Sequence, residues 1–118
     1  MAVPKIESEA IELFERRLAD HPTIERKGAN NPYTSVNGHM FSAVNKAGEV
    51  GLRLSKEERE AFIVKYDTKL LESYGAVMRE YVVVPVSLLK SKTKFLAYLE
   101  KSYEYVSSLK PKPTKKKK

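Results

Sequence analysis

The sequence predicts an α+β domain, an antiparallel sheet packed by an N-terminal and a C-terminal helix. Three observations predict it. Apolar residues recur at helical spacing over 5–19 and 92–109. Short β-prone runs between them are punctuated by Asn37-Gly38 and Lys46-Ala47-Gly48-Glu49. Ser55-Lys56-Glu57-Glu58 then reads as a capping box opening an internal helix. At 118 residues, 42% hydrophobic and 31% charged, the chain has the size and composition of one soluble domain, which excludes a disordered chain, a collagen or a multidomain enzyme.

The elements follow in order. Ile6, Ala10, Ile11, Leu13, Phe14 and Leu18 fall on one half of a helical wheel, opposite Glu9, Glu12, Glu15 and Arg16. Asp20-His21-Pro22 stops that helix, because a residue before proline avoids the α region. Ile24-Glu25-Arg26-Lys27 is a weak strand, and 28–32 is a loop. Tyr33–Val36 and Met40–Val44 flank Asn37-Gly38, and Val50–Leu54 alternates as a half-buried strand does. This is a meander of three strands, or four with the first. Gly48 is explained by a turn and Gly51 by close approach of backbone and neighbour. The capped helix carries Ala61 and Phe62 and ends near Tyr66. Residues 67–75 are ambiguous, with Leu70, Leu71 and Tyr74 suited to a helical turn. Met78–Val84 is a strand ending at Pro85, and its three valines suit either two covered faces or an edge. In 92–109, Phe95, Leu96, Tyr98, Leu99, Tyr103, Tyr105, Val106 and Leu109 fill the apolar half, and Pro111 and Pro113 end the helix. The expected anchors are Phe14, Phe41, Phe62 and Phe95, with Leu13, Leu99 and Val83. One domain is thus expected over 1–109, followed by a disordered lysine-rich tail over 110–118.

Charge is concentrated at one end. The net +7 includes six lysines in the last nine residues, Lys110, Lys112, Lys115, Lys116, Lys117 and Lys118. Without them 16 basic residues face 15 acidic ones, so the body is nearly neutral. Six lysines can neutralise phosphates and release counterions without reading bases. Lys27 and Arg53, with Tyr33, are the candidate cations and aromatic of an open sheet face. The other tyrosines sit on apolar stripes and read as core.

Catalytic chemistry finds no pattern. Of the two histidines, His21 lies beside a helix stop and His39 after a hairpin turn. Glu57, Glu58 and Glu60 read as dipole partners of a helix N-terminus. No Gly-x-Ser-x-Gly, Gly-x-Gly-x-x-Gly or Walker sequence occurs, and zero cysteines exclude thiolate catalysis, disulfides and cysteine-rich zinc sites. The expectation is no catalytic residue, no metal and no cofactor. The alternative is a small enzyme with a carboxylate or histidine site. The N-terminus lacks a signal-peptide core and no run is long enough to span a bilayer, so the expected address is cytoplasmic and no membrane partner is expected. A nucleic acid, a protein partner and a second copy docking on the open sheet edge or face remain open as partners.

Gly38-His39-Met40-Phe41-Ser42-Ala43-Val44 resembles the Gly-x-Met-Phe-Ala-hydrophobic-Val segment of the TfoX/Sxy N-terminal domain family. The strand 50–54, the helix with Phe62, Met78-x-x-Tyr81-x-x-Val84-Pro85 and the long last helix follow in the family's order. Arg26 and Gly28 alone echo its glycine-rich early motif, and its C-terminal domain has no counterpart here. The resemblance covers about 5–109. It implies a curved antiparallel sheet packed by helices, a binding or regulatory role, and no known enzyme activity or cofactor.

Overall fold

The computed structural model describes residues 8–28, 31–73 and 75–109, so Ile6, Tyr74 and the lysines from 110 onward lie outside the described residues. It shows the expected α+β class. The order is α1 (Glu9–Asp20), β1 (Thr34–Val36), β2 (His39–Val44), β3 (Val50–Arg53), α2 (Lys56–Tyr66), β4 (Leu70–Ser73), β5 (Ala76–Val84), α3 (Val86–Leu89) and α4 (Lys92–Ser107). The five strands form one antiparallel sheet in the order β1-β2-β3-β5-β4.

Local chemistry accounts for the boundaries. Asn37 and Gly38 both take positive φ, 54° and 81°, the conformation a two-residue hairpin with the right twist requires. Ser8 caps α1 by accepting from Ile11 N at 3.1 Å, and its hydroxyl donates to Gly48 O at 2.7 Å, tying the helix start to the β2–β3 turn. Ser55 caps α2 by accepting from Glu58 N. Two expectations are corrected, one open alternative is decided and one element is new. Ile24–Lys27 contributes only a bridge from Lys27 to Tyr33 rather than a strand. Leu70–Ser73 is a strand, β4, not a helical turn, because Leu70 to Ser73 pair along β5. β5 is flanked by β3 and β4, so its valines lie inside the sheet and not at an edge. A short helix, α3, follows Pro85 as its N-cap.

One face of the sheet carries the core. Val50 pairs with Val84 and Leu52 with Val82, and all four are buried in the same cluster as Phe14, Leu18, Phe62, Phe95 and Leu99. Phe14 and Phe95 meet edge to face at 6.2 Å, where α1 and α4 converge. A bulge opposite Thr34 and Ser35 leaves Phe41 unpaired in β2, and its ring meets Tyr103 on α4. All four phenylalanines are at most 1% exposed, and each is worth roughly 1.5–3 kcal/mol of burial. Val83 and Leu13 are only half-buried: Val83 alternates to the opposite face from Val82 and Val84. On α4 the buried stripe is Phe95, Leu99, Ser102 and Val106, while Tyr103 is exposed. A serine at the contact lets the helix lie close to the sheet, with Ser102 Oγ in hydrogen-bonding reach of the Phe41 and Arg53 carbonyls.

The opposite face is not open along its length. Leu70 pairs with Val82 but Leu71 with Met78, so residues 79–81 have no partner on β4, although Tyr81 still pairs with Arg53 of β3, and the far end of the β4–β5 hairpin swings over the sheet. Leu71 is fully buried on Gly51, where an added Cβ would stand 2.5 Å from Leu71 Cδ2. Asn45 Nδ2 donates to Glu72 O at 2.7 Å, fastening the β2–β3 turn to β4.

Candidate nucleic-acid interface

The two body cations expected to face a ligand sit on different elements with different partners. Lys27, beside the edge strand β1, donates from Nζ to Ser35 Oγ at 2.8 Å. Arg53, at the end of the inner strand β3, donates from Nε to Glu80 at 2.6 Å. Glu80 also accepts from the Tyr105 hydroxyl at 3.3 Å. Arg26 is held by both carboxylate oxygens of Glu15, at 2.6 and 2.9 Å, which raises its pKa above the ordinary arginine value. That pair anchors the segment after α1 to the helix, a structural use of the guanidinium.

The histidines are placed apart. His21 is nearly enclosed, its Nδ1 accepting from Thr23 N and Ile24 N at 3.1 and 3.0 Å. That fixes the proton on Nε2, which donates to Glu100 on α4. His39 lies in β2 opposite Val36. Among the described residues no three His, Cys, Asp or Glu side chains gather as a metal site would need. An open cleft of about 680 Å³ lies between the β2–β3 turn and β4, lined by Asn45, Lys46, Glu49, Lys69, Glu72 and Ser73. Its charges offset one another, with Lys69 3.8 Å from Glu49. Among the described residues no helix is long and apolar enough to cross a membrane.

The feature not anticipated from the sequence is the seam where α2 and α4 run side by side. Phe62 meets Tyr66 at 4.7 Å and Tyr98 at 5.0 Å, and the two tyrosine rings stand 5.9 Å apart. Lys65 Nζ lies 5.5 Å from the Tyr66 ring centroid. Partial burial, then the hydrogen bond to Tyr98, push the Tyr66 phenol up, and the charges of Lys65 and Lys94 pull it back. Further along, Lys101 faces Glu58 at 3.6 Å. At the far end burial and Glu80 raise the Tyr105 phenol against the pull of Arg53 and Arg59. Lys94, Tyr98, Lys101 and Tyr105 are three or four residues apart and so share one stripe of α4. Tyr66, Tyr98 and Tyr105 pack against the core, as the sequence predicts, and Tyr103 is exposed. The 3-and-4 spacing of lysine and tyrosine was the available signal.

Comparison with protein-family profiles, curated proteins and solved structures finds no match to this chain.

Proposed function

We propose that the chain is a non-enzymatic binding or regulatory module that contacts nucleic acid through its phosphates. The observation that carries the reading is the distribution of charge. Six of 22 basic residues occupy the last nine positions, while several body cations are engaged with Glu15, Glu80, Glu49 and Glu58. A lysine run delivers affinity through counterion release and carries no base readout. The resemblance to TfoX/Sxy N-terminal domains, carried by 38–44 and 78–85, supports a binding or regulatory role.

The test is fluorescence anisotropy with a short duplex DNA and a single-stranded RNA at several salt concentrations. Full-length protein is compared with a variant whose six C-terminal lysines are serine. The variant's log–log salt slope should be shallower by about 5, since each phosphate contact contributes about 0.9 on B-DNA. Equal slopes would remove the tail from the function.

A further inference from the structure

We propose that the outward face of α2 is the contact between two copies of this chain, an antiparallel helix pair that crosses at Ala61 and sets Glu57 of each copy against Lys65 of the other. It goes beyond the nucleic-acid reading and does not rest on it.

The inward side of α2 is satisfied within the chain: Phe62 is buried, and Glu58 pairs with Lys101 of α4. Its outward side is not. Glu57, Ala61, Val64 and Lys65 are all exposed. At about 100° per residue, Glu57 and Lys65 lie about 40° to either side of Ala61 and Val64 about 60° from it, so the four share one surface. Val64 is 82% exposed, the most of any large hydrophobic side chain among the described residues. Neither core burial nor helix propensity accounts for a β-branched residue there. Glu57 and Lys65 have no ion-pair partner among the described residues, and Lys65 Nζ lies beside the Tyr66 ring.

The charges on this surface are complementary to themselves. Glu57 and Lys65 stand four residues before and after Ala61, about 6 Å each way along the axis. A two-fold axis through an antiparallel crossing at Ala61 therefore brings Glu57 against Lys65 of the second copy, and the reverse, giving two ion pairs from one contact. Alanine puts little bulk where the helix axes come closest, and the crossing covers Val64 of both copies. Antiparallel order also lays the positive end of each helix dipole beside the negative end of the other. Glu60, the other exposed acid of this side, lies about 100° round the helix from Ala61 and clears the contact. The 11 residues of α2 make a short contact. Its area falls below the roughly 800 Å² per partner of a standard interface, so the dimer is weak and forms as concentration rises.

The experiment is sedimentation equilibrium of the full chain, without nucleic acid, from about 10 μM to about 1 mM. Salt of about 150 mM gives a Debye length of about 8 Å, which screens the net charge of +7 at a distance but not groups in contact. Wild-type protein should pass from monomer to dimer over this range. Glu57→Lys and Lys65→Glu each set like charges against one another and should each weaken dimerisation about tenfold or more. Mixed in equal amounts, these two variants restore both ion pairs and should dimerise with each other at close to wild-type strength. The double variant should do so with itself. Each single change also opposes the helix dipole, so far-UV circular dichroism checks the fold; damage to the fold is not repaired by mixing. Wild-type protein that stays monomeric at the highest concentration overturns the proposal. Dimerisation that neither single variant weakens also overturns it, and places the contact elsewhere, as at a sheet edge. Single variants that stay monomeric even when mixed overturn it as well, because charge pairing across α2 is then not the cause.

Discussion

Gly51→Ala tests how the far end of β5 is folded over the sheet. The new Cβ would stand 2.5 Å from Leu71 Cδ2 and 3.2 Å from Cγ, so Leu71 must retreat by about 1 Å to reach ordinary contact. Leu71 is fully buried, and β4 is held by the Asn45 hydrogen bond to Glu72 O, so that retreat has little room. Overpacking of this kind costs about 1–3 kcal/mol. Loss of glycine freedom in the unfolded chain offsets about 0.4–1 kcal/mol of it. The net is a destabilisation of about 1–2 kcal/mol, or roughly 4–8 °C in Tm for a domain of this size. Leu71→Ala alone should cost about 2–5 kcal/mol. In that background the alanine at 51 meets empty space and becomes neutral or stabilising. The assay is urea unfolding of the four proteins of the cycle, followed by circular dichroism because the chain has no tryptophan. Additivity within about 0.5 kcal/mol would show that the two positions do not touch, and the folded-over strand would be wrong.

Two further outcomes follow from the core. Phe95→Ala should cost about 3–5 kcal/mol, and Phe14→Ala in the same background should show a coupling of about 0.5–1.5 kcal/mol from the edge-to-face pair; an unchanged melt would mean that α1 and α4 are not docked. Burial, helped by Glu80 and opposed by Arg53, pushes the Tyr81 phenol up to about 12, while its hydroxyl donates to Met40 O at 2.7 Å. The folded state therefore keeps a proton that the unfolded chain releases near pH 10. The stability this provides is complete below about pH 10, and about 2–3 kcal/mol is lost as pH rises towards 12. Denaturation across that range should show the loss, and Tyr81→Phe should flatten it; an equal slope in the variant would refute the assignment.

What could be read from the sequence was whatever local chemistry decides. Asn37-Gly38, the Ser55 cap, Pro85 and the apolar arcs each act within a few residues, and the elements they mark stand close to where they were placed. Gly51 was also legible as a close approach, though not its partner. What could not be read depended on distant pairing. Leu70 and Leu71 are as compatible with a helical turn as with a strand until β5 is beside them. Val83 looks like its neighbours until the sheet assigns its face. Ser102 was hidden because hydrophobicity was the guide, and the contact there is a hydroxyl against two carbonyls. The candidate site divides in the same way. The tail is visible as composition, but the seam exists only once α2 and α4 are side by side.

The strand order makes the sheet from two locally connected pieces, β1–β2–β3 and β4–β5, zipped by the four residue pairs of the β3–β5 ladder. α4 rides on the first piece and α2 on the second, so the seam between those helices lies above the zip. A change that parts the two helices would therefore loosen both modules at once, and it would register as faster amide exchange along Val50–Arg53.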